Sequence, residues 1–497
     1  MRSLPYVKTS FTFNRTFSAT IPFGAVALIS LVSSSGCKFV GTDYQAPQVA
    51  VPDAWNQHII GSPVGVLAVD YWWKQFKDES MNQLIDAAIE SNKSLAIAYE
   101  RVLQARSARQ ISNSALFPAI DGVGGISREG TSENVGVPKA AGGGDSDTFY
   151  SVGADLTWEL DVLGGVRRSI ESADAGLQAV EESYRDFMVL LIAEVARNYL
   201  DVRTVEERIV LAKQNIENQK GSLKLANDRF AAGLAPKQDI TQAQTNLSDT
   251  QAFLPQLRQQ RTTTVNRLAI LLGGYSSAVE TLLGEHEIIP MPPQGTEIET
   301  PAEVLRARPD IRAAERQLAA QHARVGVAEA DLYPRFALNG NFALLSNDKG
   351  DVFESGSRAY GFGPAFRWNL FSAGLVRSQI DIEESRTREA LLEYENAVLG
   401  AVEEVETSMS GIANERDRLQ SLKLGSASAK ETVFLIKDNY SKGLVDFQYV
   451  LDAERTATRI EDSYAVSQGL LAQAYIALYS ALGGGYPDGE VELNRSK

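Results

Sequence analysis

Cysteine and histidine are scarce in this sequence, and their scarcity limits the chemistry that the chain can perform. It contains one cysteine, Cys37, and three histidines far apart along the chain, His58, His286 and His322. Zinc sites use several cysteine or histidine ligands at close spacing, which this set does not provide. His286-Glu287 begins like a zinc-binding helix, but Pro290 stands where the second histidine is needed. We therefore expect no catalytic residues, no metal site and no enzyme.

Basic residues and long apolar runs are also few. The chain has 48 Lys and Arg against 63 Asp and Glu, a net charge of −15. Nucleic-acid binding needs a basic surface that displaces counterions, so this class of protein is disfavoured. Beyond position 36 no apolar run reaches the ~20 residues of a transmembrane helix. If the mature protein enters a membrane, it must use acyl chains or β-strands.

The first 36 residues have the pattern of a secretory leader. Positions 21–36 are apolar or small, and the basic residues Arg2, Lys8 and Arg15 precede them without any acidic residue. Ser34-Ser35-Gly36-Cys37 resembles a bacterial lipobox, in which the chain is cut before the cysteine and a lipid is attached to its thiol. We predict a signal peptide at 1–36 and a covalent lipid, but no other cofactor, on Cys37. The alternative is an ordinary leader with an incidental cysteine.

The remainder of the chain contains two copies of one unit. From residue 158 to residue 274 the copies align without a gap at an offset of 210 positions. The matched pairs include Trp158 and Trp368, Gly164 and Gly374, Phe230 and Tyr440, Gly233 and Gly443, and Gly273 and Gly483. We predict an N-terminal anchor and equatorial segment at 37–80, a first repeat at 81–290, a second at 300–485 and a tail at 486–497.

Apolar residues recur every seven positions within each copy, which predicts supercoiled helices. The first series is Met188, Val195, Val202, Ile209, Ile216, Leu223 and Phe230, and the second is Val398, Val405, Ile412, Leu419, Ser426, Val433 and Tyr440. Val166 to Phe230 contains no proline, so we predict a helix about 100 Å long. The chain turns at Gly233-Leu234 and at Gly443-Leu444, so each copy forms a long helical hairpin. A solid helical bundle remains the alternative.

Shorter helices and alternating strands complete each copy. We predict helices over Met81–Phe117 and Pro309–Tyr333, each ending at a proline, and a capping box at Thr300-Pro301-Ala302-Glu303. Apolar residues then lie two apart at 152–160, 336–344 and 360–370, with a weaker, glycine-rich strand at 121–127. These segments resemble lipid-facing strands of a membrane barrel. Four strands cannot close a barrel, so several chains must contribute. A soluble sandwich is the alternative.

Motifs spread over most of the chain resemble the outer-membrane factor (TolC-like) family, in its lipoprotein branch that serves resistance-nodulation-division pumps. They are Val40-Gly41-Thr42-Asp43-Tyr44, Tyr71-Trp72-Trp73, Phe76, Asp78, Leu84-Ile85, Asn92, Leu95, Ala105-Arg106 and Arg306-Ala307-Arg308-Pro309-Asp310-Ile311. The resemblance implies a mainly α fold with a membrane β-barrel part. Three chains would form one α-barrel of coiled hairpins and one twelve-stranded barrel in the outer membrane, lipid-anchored and extending into the periplasm.

The resemblance also assigns residues to gating and docking. Asp452 would form a ring of three carboxylates at the periplasmic entrance of the pore, with Arg455 in a neighbouring ring and Tyr449 and Gln448 at the same constriction. The first copy has Gln242 and Thr245 at the positions of Asp452 and Arg455. The turn residues Gly233, Leu234, Gly443 and Leu444 would dock a periplasmic adaptor protein. A charge pair on a solvated helix surface is the alternative for Asp452 and Arg455.

We expect a passive exit duct for drugs or other small molecules, driven by an inner-membrane pump. The expected partners are two further copies of the chain, the adaptor, the resistance-nodulation-division transporter and outer-membrane lipid. An alternative with the same fold is a duct for type I secretion or for metal cations. An alternative of another class is a periplasmic coiled-coil scaffold lipoprotein, which would not need the alternating strands.

Overall fold

A computed structural model describes residues 40–56, 71–130, 132, 146–285, 288–291 and 301–485. The chain divides into two compact units, Met1–Phe39 and Val40–Lys497, and every described residue belongs to the second. The predicted leader, the lipid site at Cys37 and the tail at 486–497 lie outside the described residues, as do His58, His286 and Thr300.

Nine α-helices and four β-strands make up the described part of this unit. The helices are α1 Glu79–Ser91, α2 Lys93–Ser114, α3 Gly165–Ala231, α4 Lys237–Leu271, α5 Ser276–Leu283, α6 Pro301–Ala307, α7 Pro309–Ala330, α8 Leu375–Ser441 and α9 Phe447–Ala481. The strands are β1 Ala119–Gly130, β2 Ser146–Leu160, β3 Arg335–Ser346 and β4 Arg358–Arg367. None of the described helices is both long enough and apolar enough to cross a membrane.

The two long hairpins predicted from the repeat are present. Helices α3 and α8 each contain 67 residues, and α4 and α9 each contain 35. All four begin and end at positions that differ by 210, so the repeat is preserved in the backbone. The heptad series of α3 is buried at Met188, Val195, Val202 and Ile216 and becomes exposed only at Phe230, near the turn. The seven-residue spacing therefore marks the packed seam of the hairpin.

The prediction of one helix over Met81–Phe117 is wrong, because the chain breaks at Asn92. Asn92 has an extended backbone, and its side chain accepts a hydrogen bond from the Leu95 amide and so caps α2. Its Nδ2 also donates to the Leu271 carbonyl at 2.7 Å, which ties the break to the end of α4. The helix then ends at Ser114, three residues before Phe117.

The four strands form one antiparallel sheet in the order β1-β2-β3-β4. The pairing of β2 with β3 places Trp158 opposite Leu338 and joins the two predicted strand pairs. The last strand ends at Arg367, before the predicted Leu370. Trp158 donates its indole N–H to the Leu116 carbonyl and Trp368 donates to the Leu332 carbonyl, both at 3.0 Å. The repeat is thus also preserved where the sheet meets the helices.

The main apolar core lies where α1, α3, α4, α8 and α9 meet. Trp72 and Trp73 are buried there in a 3₁₀ turn, and the Trp72 ring stacks on Tyr479 with 5.2 Å between centroids. The core extends along α3 only as far as Val202 and along α9 only from Leu471 onward. The part of each hairpin nearer to its turn is therefore held by other contacts.

The first described residues, from Val40, are clamped against α3 and α7. The Arg168 side chain, 9% exposed, donates to the carbonyls of Val40 and Gly41 at 3.0 and 3.2 Å and to the Asp43 carboxylate at 2.8 Å. Gly41 has a φ of +87°, and a Cβ there would lie 2.9 Å from the Gly326 Cα. Only glycine fits this close approach, which explains its place in the Val40–Tyr44 motif.

Candidate gate and hairpin tips

The two turns between long helices have the same geometry. Gly233 and Gly443 adopt φ values of +71° and +77°, which the absence of a Cβ permits. At each turn the glycine amide and the following leucine amide donate to carbonyls of the last helical turn at 2.8–2.9 Å. Leu234 and Leu444 are 66% and 69% exposed. Each hairpin therefore presents one apolar side chain on a rigid, capped turn.

The four residues predicted for the gate lie in the first turns of α9, on its exposed side. Gln448 donates to the Asp452 carboxylate at 3.1 Å, and Tyr449 is 58% exposed. The Arg455 guanidinium donates to Asn246 of α4 at 3.1 Å. Within the described residues Asp452 and Arg455 make no ion pair with each other, although they are three positions apart. Asp452 is bound within the second hairpin, whereas Arg455 binds the first.

Glu454, which the sequence analysis did not single out, is the buried charge of this region. It is only 5% exposed, and its carboxylate accepts from Ser222 of α3 and from Asn246 of α4 at 3.2 Å. The ammonium of Lys437, on α8, lies 2.9 Å from the same carboxylate. A buried carboxylate is stable only when it is paired and hydrogen-bonded, and here all four long helices contribute. Glu454 thus joins the two hairpins near their tips.

A second contact joins the hairpins next to the turns. Arg229, at the end of α3, donates to the Tyr440 and Ser441 carbonyls at 2.6 and 2.8 Å, so it caps the C-terminus of α8. The Tyr440 hydroxyl donates to Asp239 of α4 at 2.8 Å. Burial, followed by this bond to Asp239, raises the pKa of the Tyr440 hydroxyl above its usual range. The hydroxyl therefore stays protonated and able to donate at neutral pH.

Apolar side chains pack between these polar contacts. Six buried residues from all four long helices form a small cluster, which we call the tip cluster: Ala226, Ala243, Tyr440, Phe447, Val450 and Leu451. The tip cluster is separate from the main core. The tips are therefore a distinct packing unit, and the bonds of Arg229, Glu454 and the Tyr440 hydroxyl cross from one hairpin to the other.

The repeat could have revealed Glu454. Its equivalent in the first copy is Gln244, and the next buried acid on α9, Glu461, is matched by Gln251. The two acids lie seven positions apart on the same helix face, and the first copy has neutral residues at both positions. Arg229 and Asp239 also stand opposite neutral residues of the other copy, Asn439 and Tyr449, but the repeat does not reveal their partners, because these depend on where the first hairpin meets the second.

The described part of the chain contains no group of three or more histidine, cysteine, aspartate or glutamate side chains placed to hold a metal ion. At the tips the charged groups of Arg229, Glu454 and Arg455 make contacts between helices.

The two-hairpin architecture coincides with that of a known protein family. A family model described as outer membrane efflux protein matches residues 84–274 and again residues 300–484. Both matches together cover more than half of the chain and contain both long hairpins.

Individual relatives align with this chain over nearly its whole length. The chain is 29% identical to a nodulation protein T of Rhizobium leguminosarum bv. viciae, covering 93% of each chain. It is 28% identical to the solvent efflux pump outer membrane protein SrpC of Pseudomonas putida, covering 93% of this chain and 98% of SrpC. Among solved structures, the outer-membrane channel OprN matches with a TM-score of 0.83 and 33% identity, over 90% of this chain and 99% of OprN.

Proposed function

The chain belongs to the outer membrane efflux protein family, and from this premise we propose that it is the passive exit duct of a tripartite efflux pump. Members of this family are outer-membrane channels. The duct offers a path through which drugs or other small molecules leave the cell, and the energy comes from an inner-membrane transporter. No enzymatic step belongs to this mechanism. Small-molecule cargo is proposed by analogy with the solvent efflux pump relative.

The observation that carries the proposal is the joining of an open four-stranded sheet to two long hairpins. Among the described residues, β1 pairs only with β2 and β4 pairs only with β3, so both edges of the sheet are open in this part of one chain. Open edges are not stable in lipid, because their amide and carbonyl groups lack partners. Three copies would pair these edges into twelve strands, and their hairpins would enclose one channel.

The tips are proposed as the docking surface of a periplasmic adaptor protein. Leu234 and Leu444 are exposed apolar side chains held by capped glycine turns. Such preorganised side chains bind a partner with little loss of conformational entropy. The adaptor would connect the duct to a transporter of the resistance-nodulation-division class.

The gate is proposed at the start of α9. In a trimer the exposed Asp452 side chains would form a ring of like charges, with Tyr449, Gln448 and Arg455 beside it. Like charges at short distance repel, so the ring alone would not hold the pore closed. Closure would depend on contacts that hold α9 against the first hairpin, namely Arg455 with Asn246 and the Glu454 junction.

The lipid anchor at Cys37 is proposed from the lipobox alone, since Cys37 lies outside the described residues. Lys38 follows the cysteine in place of the aspartate that retains some lipoproteins in the inner membrane. We therefore propose outer-membrane sorting.

Native mass spectrometry of the full-length protein, extracted from outer membranes in detergent, tests the assembly. We expect a trimer in which each subunit starts at Cys37 and carries the added mass of a lipid. A monomer that remains soluble without detergent would refute the duct.

Conductance in planar bilayers tests the gate. Replacing Asp452→Ala and Arg455→Ala together should raise the conductance of the closed channel severalfold. The matched control is Gln242→Ala with Thr245→Ala, at the equivalent positions of the first hairpin, which should change nothing. Equal conductance of both double variants, in folded trimers, would remove Asp452 and Arg455 from the gate.

A further inference from the structure

Each edge strand of the sheet carries a charged side chain that meets a like charge inside its own chain. On β1, Asp121 lies directly opposite Asp155 of β2. On β4, Arg367 lies directly opposite Arg335 of β3. Like charges in such positions repel each other. Among the described residues the side chains of Asp121 and Arg367 make no ion pair or hydrogen bond, whereas Arg335 is compensated by Asp331. The two open edges therefore carry opposite, uncompensated charges.

Both uncompensated side chains lie on the same face of the sheet. Directly opposite residues share a face, and so do alternate residues along one strand. One face carries most of the large apolar side chains, among them Ile120, Leu156 and Phe366. Asp121 and Arg367 lie on the other face, and both are exposed. In the proposed barrel the apolar face contacts lipid, so both charges face the interior.

The strand ends indicate how far one copy is displaced along the strands relative to the next. Strands β1 and β3 begin at Ala119 and Arg335, each directly after a proline. Through β2 the row of Ala119 continues to Asn339, so β3 begins four residues nearer to the helices than β1. Such stepping is the shear of tilted strands in a barrel. The step onto β1 of the next copy continues it, and only an even displacement joins polar face to polar face.

A displacement of six residues per chain brings the two charges together. The row of Asp121 ends at Gly361 of β4, and Arg367 lies six residues further along that strand. Asp121 of the next copy would then lie directly opposite Arg367. A total of about 18 residues over twelve strands corresponds to a strand tilt of roughly 45°, at the upper end of the usual range. Displacements of four or eight residues leave the two side chains in diagonal positions, where they are further apart.

We propose that Arg367 forms an ion pair with Asp121 of the next copy and that this pair sets the register in which three copies join their sheets. The partner is a second copy of this chain, and the inference rests on the proposed function. Each charge is repelled inside its own chain and attracted across the junction. Joining the edges in this register therefore offsets an unfavourable contact on both sides.

The same charges determine which edges join. On the interior face the β1 edge carries two acids, Asp121 and Glu129, and no basic residue, while the β4 edge carries Arg367 and no acid. Two β1 edges would therefore repel each other, and so would two β4 edges. A slip of two residues moves the pair to diagonal positions, and a slip of one turns the polar face toward lipid. The charge pattern thus favours one pair of edges and one register.

Charge reversal at either edge tests the pair. Asp121→Arg and Arg367→Asp each remove a repulsion inside the chain and create one between copies. We expect the trimer in detergent to dissociate at a temperature about 10 °C lower, measured by native mass spectrometry after stepwise heating. The variant with both changes should regain more than half of this loss. The matched control is Glu129→Arg, on the same edge and face, which meets Ala359 in the proposed register and should shift the dissociation temperature by less than about 3 °C.

Cysteine pairs that leave both charges unchanged measure the register. Gly125→Cys is combined with Gly361→Cys, Gly363→Cys or Ala365→Cys, which lie opposite it at displacements of four, six and eight residues. Within one chain these positions are on different edges of the sheet, so a disulfide joins two copies. After oxidation, mass spectrometry of the peptides should find the bridge to position 363 about fivefold more often than either other bridge. With Arg367→Asp added, this preference should fall below about twofold.

The outcomes separate this inference from the proposed function. If the reversal variants formed trimers as heat-resistant as the Glu129→Arg control, the ion pair would be absent. A preferred bridge to position 361 or 365 would show a different register. A preference for position 363 that persisted with Arg367→Asp would show that the pair does not set the register. A monomeric unmodified chain would instead refute the proposed duct and its trimer.

Discussion

The first hairpin, α3 with α4, and the second, α8 with α9, have the same helix lengths and the same turns, with every boundary shifted by 210 positions. Their side chains nevertheless serve different contacts. The sheet-side half of α3 lies in the main core, with Ile192, Tyr199 and Leu200 fully buried. Helix α8 leaves Leu392, Leu399, Leu424 and Phe434 between 60% and 72% exposed. One hairpin is thus the support of the unit, and the other presents apolar surface to the outside.

The placement of buried charge separates the two hairpins further. In the first hairpin, the fully buried Arg203 lies at the end of the main core and binds Tyr199 and Glu206. It also donates to the carbonyls of Leu283 and Glu285, at and just after the end of α5. In the second, the equivalent residue is Ala413, and the buried charges of α9 are Glu454 and Glu461, nearer the tip. The backbone is the same in both copies, but the buried Arg203 of α3 lies at the end of the main core, whereas the two buried acids of α9 lie nearer the tip. Four substitutions test this difference, in order of decreasing effect.

Arg203→Ala should have the largest effect on stability. It would leave Glu206 and the carbonyls of Leu283 and Glu285 without their buried partner, which costs about 3–5 kcal/mol in the free energy of unfolding. Thermal unfolding in detergent measures the loss. Arg418→Ala, which removes an exposed pair with Glu415 from the second hairpin, is the control and should cost about 0.5 kcal/mol or less. Similar losses for both variants would contradict the supporting role of the first hairpin.

Glu454→Ala should come next and should also affect the channel. Lys437, Ser222 and Asn246 would lose their common acceptor, at a cost of about 2–3 kcal/mol because Lys437 is partly exposed. We expect a leaky channel with raised conductance in planar bilayers. Gln244→Ala, at the equivalent position of the first hairpin, should leave conductance unchanged. A leak in the Gln244 variant, or none in the Glu454 variant, would show that the junction does not hold the hairpins together.

Much of this architecture could be predicted from the sequence. The seven-residue spacing, the absence of proline from Val166 to Phe230 and the paired glycines predicted the long first helix and the turns of both hairpins, because these are local properties of the chain. The alternation of side chains likewise gave the four strands. The break at Asn92 was missed, because an asparagine inside an apolar pattern becomes a cap only when a partner such as the Leu271 carbonyl is present.

The contacts of the candidate gate could not be derived in the same way. Asp452 and Arg455 were placed by resemblance, and their spacing of three positions suggested that they share a helix face. The structure gives them different partners, Gln448 and Asn246, because α4 lies beside α9 and competes for the guanidinium. Contacts between hairpins depend on how two distant segments align, and the heptad pattern does not specify this alignment.

Tyr440→Phe should have a smaller effect than the loss of Glu454. It removes one hydrogen bond, from the hydroxyl to Asp239, and leaves the ring in the tip cluster. We expect a loss of about 1 kcal/mol and a modest rise in conductance. A double-mutant cycle with Asp239→Asn measures the coupling, which should be close to the loss seen for Tyr440→Phe alone. Phe230→Tyr, which adds a hydroxyl to the half-exposed equivalent ring of the first hairpin, should have no effect. Zero coupling would mean that this bond does not contribute to closure.

Asp186→Asn should have the smallest effect, and it should stabilise the protein. Burial, and then the nearby carboxylates of Asp310 and Glu404, raise the pKa of Asp186 to about 6, while Arg308 opposes the shift. The folded state therefore binds this proton more tightly than the unfolded state, so the contribution of Asp186 to stability falls as the pH rises from about 4 to about 6. The equivalent residue of the second hairpin is the exposed Asn396.

With asparagine at position 186 the charge is absent at every pH. Because Asp186 is partly exposed and screened by solvent, we expect the free energy of unfolding to rise by no more than about 1 kcal/mol at pH 7 and by little or nothing at pH 4.5. Thermal unfolding in detergent at both values measures this. The control is Asn396→Asp, whose exposed carboxylate should add no pH dependence between 4.5 and 7. If Asp186→Asn raised the free energy of unfolding as much at pH 4.5 as at pH 7, the increase would come from packing. A charge at this position would then cost no more stability in the first hairpin than in the second.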